Sequence, residues 1–329
     1  MDIFKFSNIC IYRQALMGIS IIWIILHHYN GLGIPGFDNV MGAGWIGVDI
    51  FFFVSAIGLS FSLNKNSDII SFYKRRTLRI IPTYWLIITF FLFISIYESS
   101  SHPNNILEGA LYYTGLGWWL QFIYPDYRQV CYEWYIPTLL LFYVLAPFIW
   151  KACKKHPYQL LSIASLMLFT SPFYHFFDAI DRSVHRLPVF IYGFIVANWI
   201  IEKKQMPNKY LIIFTFFIGL SLFAISKIVN IDRTLYISIQ RFSILLLMPL
   251  SLTILCLIIE KTRTNRIFSF IGLSSLELYL IHIYDRPLNL FNLFISNHAI
   301  AVIAAILLCV VCAYSIHIFM LKITSRVLK

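Results

Sequence analysis

The sequence predicts an all-α, polytopic membrane protein of about ten transmembrane helices with both termini in the cytoplasm. Three observations predict it. Hydrophobic residues make up 59% of the 329 residues and charged residues 12%, against about 25% charged in an ordinary globular domain. Apolar runs of roughly twenty residues, the length that crosses a bilayer core, recur from end to end of the chain. The Lys and Arg residues behind the formal net charge of +11 fall mainly in short segments between those runs. That distribution excludes a nucleic-acid-binding face and makes the charge a signal of membrane topology.

The predicted spans are 11–30, 43–63, 79–97, 133–152, 158–177, 187–202, 209–229, 236–260, 267–285 and 298–321. Each has to be a helix, because a segment alone in hydrocarbon must satisfy its own backbone hydrogen bonds. The first span is long enough to cross, and Asn30-Gly-Leu-Gly after it lacks a small-residue cleavage pattern, so it is expected to be retained. One long connection, 98–132, separates the third and fourth spans. The expectation is one transmembrane domain over 1–329 with no separate soluble domain. With the N-terminus inside, 19 of the 26 Lys and Arg residues lie on the cytoplasmic side, as the positive-inside rule requires.

This topology sorts the ionisable groups by depth. Arg13 opens span 1 at the inner mouth, and His27 and His28 close it near the outer face. Asp49 lies in the outer half of span 2, Glu133 and Arg186 sit at the outer starts of spans 4 and 6, and Glu277 lies at mid-depth in span 9 with His282 further out. Such groups cost roughly 2.5–3.5 kcal/mol each at the centre of a membrane helix, so they mark a site or an ion path. An outward-facing cavity lined by these residues is the expectation.

His28 is the candidate catalytic group, because a histidine titrates near neutral pH and can take a proton from a hydroxyl. Its other nitrogen needs an orienting partner, and Asp49 or Glu133 can serve. The alternative is a solvated interfacial histidine. His27 points about 100° away on the helix and is expected to pack or to support. In Lys74-Arg75-Arg76-Thr-Leu-Arg79, Arg76 and Arg79 share a helix face and can fork onto phosphates; a positive-inside anchor explains the same charges. The aromatics of the long connection, among them Tyr112, Tyr113, Trp118 and Trp119, are expected at the membrane interface rather than on sugar rings. Cys309-Val-Val-Cys312 lies inside an apolar span and reads as packing, not redox chemistry.

Taken in order, these residues resemble the family 3 membrane acyltransferases, the integral-membrane O-acyltransferases of bacterial surface polysaccharides. Gly18 to His28 is similar to the family's first motif and Gly47-Val-Asp49-Ile-Phe-Phe-Phe-Val-Ser55 to its second, with Ala56 where a glycine is common. Arg76-Thr-Leu-Arg79-Ile-Ile-Pro82-Thr-Tyr84-Trp85 is similar to its Arg-x-x-Arg element. Glu133-Trp134-Tyr135, Arg186-Leu-Pro188-Val-Phe190-Ile-Tyr-Gly193 and Gly272-Leu-Ser274-Ser-Leu-Glu-Leu-Tyr279-Leu-Ile-His282 follow in the family's order. One position departs. The family often has an arginine eleven residues before the histidine; here Met17 stands there, and Arg13 lies one turn earlier on the same helix face.

The resemblance implies transfer of an acyl group, usually acetyl, from cytoplasmic acetyl-CoA or another acyl-CoA to a hydroxyl of an outward-facing, lipid-linked glycan such as a lipopolysaccharide O-antigen or an exopolysaccharide. It implies that Arg76 and Arg79 hold the coenzyme A phosphates, that Arg13 guides the donor, and that His28, supported by Asp49 or Glu133, activates the acceptor. His27, Arg186, Tyr279 and His282 are expected to line the acceptor side. No metal is expected. The expected partners are membrane lipids and the glycan, with no nucleic acid, and the expected location is the inner membrane, or the cell membrane of a Gram-positive host. Small-residue motifs are too sparse to assign an oligomeric state. The competing reading is a transporter or flippase of lipid-linked sugars, which would more often show repeated or broken helices in two halves.

Overall fold

The structure, a computed structural model, describes residues 4–66, 68–97, 106–120, 134–170, 178–202, 208–229, 232–283 and 286–327. Among the described residues there are helices and no strands. The principal helices are α1 (Arg13–His28), α2 (Ile46–Lys65), α3 (Ile69–Tyr97), α4 (Tyr135–Lys155), α5 (Pro157–Thr170), α6 (Leu187–Ile201), α7 (Lys209–Ile228), α8 (Arg233–Thr262), α9 (Asn265–Leu273), α10 (Ser275–His282) and α11 (His298–Val327).

Seven helical stretches among the described residues are long and apolar enough to cross a membrane; they contain α2, α3, α4, α6, α7, α8 and α11. The clearest case is α7, which buries only 11% of its most apolar window and leaves Leu211, Phe214 and Phe217 exposed. In water each buried Å² of such surface would gain about 25 cal/mol; in hydrocarbon there is nothing to gain, so the exposure is stable there.

Among the described residues the other three predicted spans form shorter helices. α1 has 16 residues and α5 has 14. The ninth span is interrupted at Ser274, whose backbone (φ −104°, ψ 24°) leaves the helical region between α9 and α10. The break frees the carbonyl of Leu273, which accepts a hydrogen bond from Arg79 Nη2 at 3.3 Å. A side chain thus satisfies the group that the broken helix leaves open, the condition for interrupting a helix at membrane depth. The third span starts ten residues earlier than predicted, at Ile69, so its basic residues form the first turns of the helix. α8 starts at Asp232, whose Oδ1 accepts the amides of Thr234 and Leu235. Those bonds hold its carboxyl below the usual range, as an N-cap does.

The chain divides into two compact units. The first comprises Met1–Met17, Val48–Asp68 and Val144–Ser269; the second comprises Gly18–Gly47, Ile69–Tyr143 and Phe270–Lys329. In the first, α7 packs along α8, and α6 packs on α5 and α8. α6 also presses its backbone onto α2: a Cβ on Gly193 would collide with the Phe53 carbonyl oxygen and with the Ala56 methyl. Phe52, Phe190 and Phe194 meet edge to face beside this contact. Small residues permit such close helix approach in membranes. Gly193→Val is therefore expected to force α2 and α6 apart at about 1–3 kcal/mol, measured as a lower unfolding midpoint of the purified protein; an unchanged midpoint would contradict the close approach.

In the second unit α3, α10 and α11 pack against one another. Tyr84 donates to the Tyr112 carbonyl at 2.7 Å, Trp85 donates to the Tyr113 carbonyl at 2.8 Å, and Tyr113 bonds Thr89 at 2.9 Å. These aromatics of the long connection fasten the segment after α3 to that helix. Cys309 and Cys312 are free thiols on α11, the first buried and the second exposed.

Candidate active site

The second unit carries a cluster of histidines and tyrosines. His28 is the last residue of α1 and is exposed. His282 is the last residue of α10 and is wholly buried. Their rings meet at a centroid distance of 5.1 Å. Tyr279, three residues before His282 and so on the same helix face, is buried with its ring 5.4 Å from His282. Tyr135 stacks behind Tyr279 at 4.4 Å. Tyr29 closes the other flank, its hydroxyl 3.5 Å from the His282 carbonyl and 3.8 Å from Cys309 Sγ.

The protons in this cluster can be assigned from the bonds. His282 Nδ1 lies 3.0 Å from the Leu278 carbonyl, which only accepts, so Nδ1 carries the proton and Nε2 keeps its lone pair. Nε2 is buried and has no hydrogen-bond partner among the described residues. His27, whose ring lies 5.5 Å from that of His28, likewise has a buried Nδ1 without a hydrogen-bond partner among the described residues. An exposed imidazole backed by a fixed, buried one can meet a hydroxyl from outside without the ring turning inward.

α10 also carries Glu277 near its start. This carboxylate is fully buried, and its Oε1 receives His317 Nδ1 at 3.0 Å and faces Arg79 Nη1 at 3.6 Å. At 1.5 Å per residue, Glu277 and His282 are about 7.5 Å apart along the helix. One short helix therefore holds the arginine of α3 at one end and backs the exposed histidine at the other. Arg76, one turn before Arg79, lays its guanidinium over the rings of Phe72 at 5.5 Å and Tyr143 at 5.8 Å, at cation–π distance.

The first unit has its own buried charges. Asp49 on α2 accepts a hydrogen bond from Arg241 Nη1 on Oδ2 at 2.8 Å, and its Oδ1 forms an ion pair with Arg186, whose Nε lies 3.0 Å away. Asp49 and Arg186 are buried and Arg241 is 15% exposed. His185 contacts Asp181 at 3.3 Å beside them. Arg13 lies flat on Gly58 of α2: a Cβ there would fall 2.7–2.8 Å from Cζ, Nη1 and Nη2. A glycine inside a helix costs about 1 kcal/mol relative to alanine, and here its missing methyl makes the space for the guanidinium.

A family model described as an acyltransferase domain, that of family 3, matches residues 14–318. The chain belongs to the family 3 acyltransferases. Its apolar helices make it a membrane acyltransferase. No curated protein and no solved structure matches it. The match begins one residue after Arg13, the residue that stands a turn away from the family's usual arginine position.

Within this acyltransferase the structure brings together His27, His28, Tyr279 and His282 in one cluster, and Arg76 and Arg79 along one helix. Arg186 pairs with Asp49. Tyr279 and His282, predicted to line the acceptor side, are both buried. Asp49, predicted as an orienting carboxylate for His28, has each oxygen faced by a guanidinium. Glu133, the other predicted carboxylate, lies outside the described residues.

Sequence reasoning missed three residues. Arg241 counts as one of the outer positive charges, yet it lies within the predicted eighth span, where an arginine signals a buried partner. The same rule points to His317 inside the last span. Tyr135 stands in the Glu133-Trp134-Tyr135 run, but a tyrosine at a span entry is ordinary, and nothing in the sequence marks its place beside Tyr279.

Proposed function

We propose that this acyltransferase moves an acyl group, acetyl in the first instance, from a cytoplasmic acyl-coenzyme A to a hydroxyl of an extracytoplasmic, lipid-linked glycan such as an O-antigen or exopolysaccharide. The observation that carries the proposal is the exposed His28 imidazole backed by buried His282. His28 removes the proton from the acceptor hydroxyl as its oxygen attacks the thioester carbonyl. The C–O bond forms, the C–S bond breaks, and the departing coenzyme A thiolate takes up the proton from His28. Direct attack suits a histidine, which is a ready proton acceptor near neutral pH. Glu133 is the carboxylate assigned to orient it.

Arg76 and Arg79, with Lys74 beside them, meet the phosphates of the donor at the cytoplasmic side, and Arg13 guides it inward. Arginine forks suit phosphate oxygens. α10 supports this division of labour, since it contacts the Arg79 guanidinium through Glu277 and the His28 ring through His282. The site of action is the inner membrane of a Gram-negative cell, or the cell membrane of a Gram-positive one.

The test is deletion of the gene followed by separate measurement of surface-glycan amount and its ester-linked acyl content. The expected result is lost acyl content at unchanged glycan amount. Lost glycan with normal acylation of what remains would point to a flippase and end the proposal.

A further inference from the structure

We propose that His317 is a positioning residue that keeps Arg79 from closing onto Glu277, so that the guanidinium stays able to bind an anionic phosphate of the donor. This rests on the reading of Arg79 as a donor-binding group given above.

The geometry around Glu277 is unusual for an arginine facing a buried carboxylate. An unobstructed pair of this kind forms a fork, with two parallel N–H bonds to both oxygens at about 2.7–2.9 Å. In this same protein Arg241 closes onto Asp49 with a hydrogen bond of 2.8 Å. Arg79 stays 3.6 Å from Glu277 Oε1, beyond hydrogen-bond length. The second oxygen, Oε2, is buried without a hydrogen-bond partner among the described residues, although a fork would have used it. The second amino group of Arg79 turns instead to the Leu273 carbonyl at 3.3 Å.

His317 explains the gap. Its Nδ1 lies 3.0 Å from Glu277 Oε1 and 3.1 Å from Arg79 Nη1. Glu277 Oε1 as a carboxylate oxygen only accepts, so Nδ1 carries the proton and donates it there. Nδ1 then cannot accept from Arg79. His317 donates to Oε1 while Arg79 Nη1 stops 3.6 Å short of it, and the imidazole stands in contact with both groups, where Arg79 would complete its fork. The imidazole satisfies part of the carboxylate's hydrogen-bonding capacity, and it holds the arginine at a distance. Arg79 is anchored by the Leu273 carbonyl while its side chain remains 36% exposed. A guanidinium so held keeps N–H groups and charge for an external oxyanion. Fully forked, both would be spent inside the protein.

Coenzyme A binding to the purified protein, with KM and kcat for the acyl donor, tests this. His317→Ala is expected to let the fork close and to weaken coenzyme A binding and raise KM about tenfold, the scale of one charged hydrogen bond, with kcat within about twofold of the wild type on the same basis. His317→Ala combined with Glu277→Gln is expected to regain wild-type affinity, since no carboxylate charge remains for Arg79 to close on. His317→Asn, whose amide can still donate to Glu277, is expected to bind as the wild type does and guards against misfolding of the alanine variant. A structural role alone would give a double variant no better than His317→Ala. That result, or unchanged affinity in His317→Ala, would overturn the inference while leaving the donor assignment intact. A wild-type protein that binds no coenzyme A would overturn both.

Discussion

His28→Ala is expected to lower acyl transfer by about 10²–10⁴-fold, the usual contribution of a positioned general base, at unchanged abundance in the membrane. The two halves of that expectation have separate physical causes. His28 is exposed at the end of α1, so removing its ring leaves no internal cavity. Its loss still removes the imidazole that can meet an incoming hydroxyl, and His282 behind it is wholly buried and cannot take its place. His282→Ala is the contrasting variant. It deletes a buried ring packed against His28, Tyr279 and Tyr29, and its effect should appear in folding as well as activity. Glycan acylation and membrane abundance, measured together, separate the two. Normal acylation in His28→Ala would remove this residue from the chemistry.

Asp49→Ala is expected to have the largest effect on stability. Removing one partner of a buried ion pair costs about 3–5 kcal/mol, because the charge left behind stays out of water. Here one carboxylate faces two guanidiniums, Arg186 at 3.0 Å and Arg241 at 2.8 Å. The expected outcome is loss of folded protein from the membrane, with recovery when Arg241→Leu is added to remove one of the stranded charges. Thermal unfolding in detergent, or abundance in cells, reads it out. A folded, abundant Asp49→Ala protein with absent acylation would instead make Asp49 part of the chemistry.

The contrast between these two residues shows what a sequence can carry. Both stand out for the same reason, an ionisable side chain beside or inside an apolar run. Depth in the membrane follows from span order, and it puts His28 and Asp49 both in the outer half. The partners of Asp49 depend on which helices are neighbours, and the positions of Arg186 and Arg241 along the chain do not encode that. His317 illustrates the same limit, since its meaning appears only where α3, α10 and α11 meet. The membrane class was legible because hydrocarbon imposes a single rule on every span. The interruption of the ninth span at Ser274 was not, because it depends on a distant arginine reaching the Leu273 carbonyl.

The most direct measurement uses the purified protein in liposomes with a lipid-linked glycan acceptor and acyl-labelled coenzyme A. The account predicts that label appears as an ester on the glycan, that one free thiol of coenzyme A is released for each ester formed, and that both signals vanish in His28→Ala. Label remaining on coenzyme A while the glycan lipid changes leaflets would contradict it.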